Sequence, residues 1–119
     1  MRRALGGWLL GGLLAAVAVL PVCDLHFDCG CSWPGLGGYS HCDVHTAGPP
    51  DCPWCDRPLV GLIAMLFAYG VGLGVALGLP TRLHLALSAA AVVAGIVAGL
   101  VVAGLATSLV LGLPVLAGL

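Results

Sequence analysis

Eight side chains able to hold a soft metal ion occur in four close pairs between Cys23 and Cys55. Cys23 and His26 stand as C-x2-H, Cys29 and Cys31 as C-x-C, Cys42 and His45 again as C-x2-H, and Cys52 and Cys55 as C-x2-C. Such spacings let two side chains of one tight turn reach one tetrahedral ion, and zinc sites are assembled from two such pairs. The pairs alternate, Cys/His then Cys/Cys, twice over. An alternating assignment makes one site from Cys23, His26, Cys42 and His45 and a second from Cys29, Cys31, Cys52 and Cys55. This is the cross-braced arrangement of some small double-zinc modules. Zinc at two sites is the cofactor reading the spacing favours.

The same residues support other chemistry. Six cysteines in an oxidising space can close three disulfides with no metal at all. Disulfides leave unexplained why two of the cysteines stand three residues before a histidine. Cys52-Pro-Trp-Cys55 also reads as a redox pair, in which one acidified thiol exchanges with a disulfide. It lies just before an apolar run, where a quinone can accept electrons. In that placement the chain resembles the quinone-linked thiol oxidases, which set such a pair beside a helix bundle but use four core helices and a second cysteine pair. Cys29-x-Cys31 followed by Cys42-Asp43-Val44-His45 is similar to the three-cysteine, one-histidine ligand order of the CDGSH-type iron–sulfur proteins. Here the gap between Cys31 and Cys42 is longer and the Cys-to-His spacing one residue shorter. That resemblance implies an iron–sulfur electron-transfer protein as an alternative.

Asp24, Asp28 and Asp43 can supply an oxygen ligand or orient a histidine. His41 breaks the pairing pattern and reads as a solvated residue, the first substitute should an assigned ligand fail. A c-type haem is excluded, because Asp56 rather than histidine follows Cys55. No phosphate-cradling motif and no nucleophile–base–acid set is present.

These residues must be positioned by a chain that is 61% hydrophobic and 8% charged over 119 residues. A soluble domain carries about 25% charged residues, so this composition cannot cover a water-facing surface. The net charge of −1 excludes a basic nucleic-acid-binding face. The chain reads as an all-α membrane protein with three transmembrane helices and an irregular, Cys/His-rich extracytoplasmic loop.

Residues 1–22 form the first span, with the apolar run from Ala4 to Val22. A cleaved signal peptide is the rival reading; Pro21 and Val22 are poor residues before a cut, which favours a retained signal-anchor. Residues 23–58 are the loop, metal-bound or disulfide-stapled, where prolines and glycines forbid long regular elements. Trp33, Tyr39 and Trp54 can pack on its staple or lie at headgroup level. Residues 59–79 and 83–105 are spans of crossing length. Residues 106–119 form an apolar tail in which Thr107, Ser108 and Pro114 let the helix run on, bend or break.

Arg2, Arg3 and Arg82 fall on one side of this topology and Arg57 on the other. Positive-inside counting places the N-terminus in the cytoplasm and the loop in the periplasm of a bacterial inner membrane. His84, at the cytoplasmic start of the third span, reads as a polar end-group. Small residues recur four apart at Gly7, Gly11 and Ala15, at Gly70, Gly74 and Gly78, and at Ala91, Gly95, Gly99 and Ala103. Such stripes allow close helix packing, within the chain or against other membrane subunits. No span carries an ionisable group at mid-depth, which argues against a pump or transporter acting alone.

The functional expectation is a small accessory subunit of a respiratory or photosynthetic type complex. Its zinc-like loop caps or bridges partner subunits. The alternatives are a thiol–disulfide oxidoreductase using Cys52 and Cys55, and a metal-handling or iron–sulfur protein.

Overall fold

The computed structural model describes residues 2–27 and 53–113, with the backbone alone at Cys55 and Asp56. Helix α1 covers Arg2–Ala16, α2 Val19–Phe27, α3 Pro53–Asp56, α4 Pro58–Gly78 and α5 Leu85–Leu111. No strand occurs among the described residues. Two helices, α4 and α5, are long and apolar enough to cross a membrane, and α1 with α2 makes a third crossing if the bent pair is one span.

The apolar run at the start of the chain, expected as one helix over residues 1–22, is divided into two helices. It bends by 52° between α1 and α2. Pro21 accounts for the break. It lacks an N–H for the carbonyl of Val17, and its ring crowds that carbonyl. The chain turns at Val17 and Ala18, and Ala18 N donates to Ala15 O at 2.9 Å. Pro21 then lies in the first turn of α2, where a missing donor costs little.

Pro58 opens α4 at its first position, and Pro80 closes it. The residue before a proline avoids the helical region, and Leu79 is extended at φ −77°, ψ 146°. Helix α5 runs through Thr107 and Ser108 to Leu111 and stops at Gly112, whose φ of 66° is the left-handed conformation glycine adopts without strain. The hydroxyl of Thr107 donates to Ala103 O at 2.8 Å, a bond made inside the helix, so it need not break it.

Helix α5 is the centre against which α1, α2 and α4 pack. Val92, Ile96 and Leu100 are fully buried along it. Helix α1 lies parallel to α5: Gly7 sits against Ser88 and Gly11 against Val92. Helix α4 runs antiparallel: Gly72 sits against Ile96, Gly95 against Val75, and Gly99 against Ala68. At these places a Cβ would collide, so the glycines set how closely the helices approach. Trp8 Nε1 donates to Tyr69 O at 3.1 Å, and Tyr69 Oη donates to Gly12 O at 2.9 Å, tying α1 to α4.

Two of the small-residue stripes are therefore used inside the bundle. The one in α4 is not. Gly70, Gly74 and Gly78 are exposed with nothing within 4 Å of where a Cβ would stand. The buried face of α4 is instead Gly61, Ala64, Ala68, Gly72 and Ala76. Leucines and other large apolar side chains cover much of the outer surface, among them Leu13, Leu59, Ile63, Leu66 and Val110. In water such a surface would associate; in a bilayer it is the contact with lipid.

Candidate functional site

Two of the eight predicted ligands have described side chains, and both lie on α2 rather than in irregular chain. Cys23 and His26 are three residues apart on one face of that helix, together with Val22 and Phe27, and this face is turned inward. Cys23 is 2% exposed and His26 fully buried. The ring of His26 fills the space beside Gly104 of α5, where any side chain would collide with it. Neither Nδ1 nor Nε2 of His26 has a hydrogen-bond partner, nor does the buried Oγ of Ser108, one turn beyond Gly104 on α5. Buried polar groups are ordinarily satisfied, and an orphan costs about 1–3 kcal/mol. A buried imidazole with two idle nitrogens next to a cysteine on the same face fits the donor set of a soft metal.

The far end of the Cys/His segment is docked onto the same end of the bundle. Trp54, in the short helix α3, is 7% exposed. Its indole Nε1 donates to Thr107 Oγ1 at 3.2 Å, and its backbone carbonyl lies over Gly61 of α4, where a Cβ would strike it. Phe27 closes the stem: its ring meets that of Trp54 edge-on, with centroids 5.2 Å apart, and that of His26 at 5.9 Å. The residues that enter and leave the 28–52 segment are thus held together against α5. Cys55 stands in α3, next to Trp54.

Cys29, Cys31, Cys42, His45 and Cys52 lie outside the described residues, as do His41, Trp33 and Tyr39. Among the described residues no three metal-ligating side chains cluster. The spacing of the cysteines and histidines gave no sign that Gly104 would seat His26, or that Thr107 and Phe27 would hold Trp54. The signal was there for Phe27, which continues the apolar i, i+4 pattern from Cys23.

Beside this stem an apolar groove of about 340 Å3 runs between α4 and α5, lined by Val60, Ile63, Phe67, Val102, Thr107 and Val110 among others. Thr107 joins it to the Trp54 contact.

Fold and site together define a small α-helical integral membrane protein in which Cys23, His26 and Trp54 are buried at one end of the bundle. Comparison with protein-family models, curated proteins and solved structures finds no match for this chain.

Proposed function

We propose that the chain is a small membrane subunit whose Cys/His segment is stapled by metal, zinc by donor type, and serves as a structural cap or bridge to partner subunits of a larger membrane complex. One observation carries the reading: His26 is wholly buried with both ring nitrogens unpartnered, one turn from Cys23. A metal bond from one nitrogen would remove the cost of burying it. The outward stripe of Gly70, Gly74 and Gly78 supports a helix from another subunit, since it is not used within the chain. The arginine distribution supports a cytoplasmic N-terminus and an outward-facing segment.

The closed stem also favours a ligand grouping other than the alternating one. Phe27 and Trp54 bring the Cys23–His26 pair and α3, the helix that carries Cys55 and follows Cys52 in the sequence, to one end of α5. A site drawn from these four residues needs no long excursion of the chain. Elemental analysis of Cys23→Ser and Cys52→Ser separates the groupings. A double variant that loses no more zinc than either single variant supports the first-with-fourth site, and one that loses twice as much supports the alternating pair of sites.

The groove beside Thr107 favours a second reading, a thiol–disulfide oxidoreductase. In it the Cys52 and Cys55 thiols close to a disulfide, passing two electrons and two protons to a quinone held in the groove. Cys52→Ser would then abolish quinone-dependent thiol oxidation while the helical content stays unchanged. In the structural reading Cys52→Ser removes metal, and there is no such activity to lose.

A further inference from the structure

Three arginines and a histidine converge at the end of the bundle opposite His26 and Trp54. Arg2 and Arg3 come from the first turn of α1, Arg82 and His84 from the turn between α4 and α5. All four are exposed. They ring a cavity of about 870 Å3 whose wall also carries Thr81 and Ser88 and no acidic residue. The described acids, Asp24 and Asp56, belong to α2 and α3 at the other end. The cavity is therefore a concentration of fixed positive charge with no internal counter-charge among the described residues.

Its donors are already oriented. Arg3 Nη1 donates to Thr81 O at 3.3 Å, which pins the start of α1 to the turn and uses one of five guanidinium donors. His84 Nδ1 accepts from Ala86 N at 3.3 Å. An imidazole that accepts through Nδ1 carries its proton on Nε2, leaving a second donor on an exposed ring. His84 is also the cap of α5, so the positive end of a 27-residue helix dipole opens on the same space. Arginine forks match the oxygens of phosphate in a bidentate way.

We propose that this cavity binds a phosphate-bearing anion, and that in the membrane the anion is the headgroup of an acidic phospholipid. The outer wall favours the lipid over a free phosphate. Leu77 and Leu85, 62% and 50% exposed, lead from the cavity rim onto the apolar side of the bundle, where acyl chains would lie.

Native mass spectrometry of the full chain, released from mixed micelles of phosphatidylglycerol and phosphatidylcholine in equal amounts, tests this. Wild type retains phosphatidylglycerol in preference. Arg82→Gln, in the turn outside every helix, lowers that preference about fivefold, and the R2Q/R3Q/R82Q variant lowers it roughly a hundredfold, from the attraction expected of each basic residue. The R2K/R3K/R82K variant keeps the charge and most of the preference, guarding against a glutamine triple that fails to fold. Arg57→Gln, at the opposite end, changes nothing. Millimolar inorganic phosphate leaves the lipid bound. If it displaces the lipid, the lipid assignment is overturned and the ligand is a free phosphate. Equal retention of the two lipids by wild type, or an unchanged ratio in both glutamine variants, overturns the proposal.

Discussion

The imidazole of His26 occupies the space that a side chain on Gly104 would need. One helix thus supplies a candidate metal ligand, and another supplies the gap that orients it. Gly104→Ala drives a methyl group into the ring, and overpacking of this kind costs about 1–3 kcal/mol. The expected outcome is a lowered unfolding midpoint and reduced metal content, while Gly70→Ala, on the open face, leaves both unchanged. Thermal unfolding in detergent, followed by far-ultraviolet circular dichroism, reads the first, and elemental analysis the second.

The Trp54–Thr107 bond ties the exit of the Cys/His segment to α5. Trp54→Phe keeps an aromatic ring against Phe27 and leaves Thr107 bonded to Ala103, so it costs about 0.5–1.5 kcal/mol. Thr107→Val strands the buried indole N–H and costs more, about 1–3 kcal/mol. Unfolding of the two variants under identical conditions checks the order; Trp54→Phe as the worse of the two would show that the bond is not made.

The three apolar stretches were legible because so few charges interrupt them, and Pro58 and Pro80 marked the two ends of α4. What was not legible is which way the helices face. In α4 the stripe Gly70, Gly74, Gly78 and the stripe Ala64, Ala68, Gly72, Ala76 share one period and sit two residues apart. Size and spacing alone do not say which packs inward. The contacts with Val92 and Ile96 decide it. Pro21 was weighed as a poor cleavage neighbour, though its stronger consequence is steric, breaking one helix and starting the next. The onset of charged residues at Asp24 suggested that the loop begins at Cys23. Helix α2 instead carries the first ligand pair down to Phe27, because its apolar residues find a buried place on α5.

The two glycine faces of α4 and α5 make a second comparison. At Gly99 an added Cβ would stand 2.8 Å from Ala68 Cα, and at Gly74 it would meet nothing within 4 Å. Gly99→Ala is expected to destabilise the bundle by about 1–3 kcal/mol. Gly74→Leu leaves the isolated chain folded but weakens its association with any partner helix seated there. Cross-linking in native membranes, compared with unfolding of the purified chain, separates the two effects. An equal loss of stability in both would contradict the assignment of faces.

Pro21→Ala restores a donor for the Val17 carbonyl and removes the ring that crowds it. The α1–α2 pair should straighten from its 52° bend. Spin labels at Leu9 and Leu25, read by pulsed electron resonance, should then lie farther apart than in wild type. An unchanged distance would place the cause of the bend in the packing of α2 on α5.

The central claim is that His26 and Cys23 bind metal, and one paired measurement tests it most directly. Elemental analysis of the purified full chain is combined with a thiol count under denaturing, non-reducing conditions, for wild type and His26→Ala. Bound zinc with reduced cysteines in wild type, and loss of one equivalent in His26→Ala, is the predicted result. No metal and no titratable thiol in wild type would contradict it, making the segment a disulfide scaffold with Cys52 and Cys55 the first place to look for redox activity.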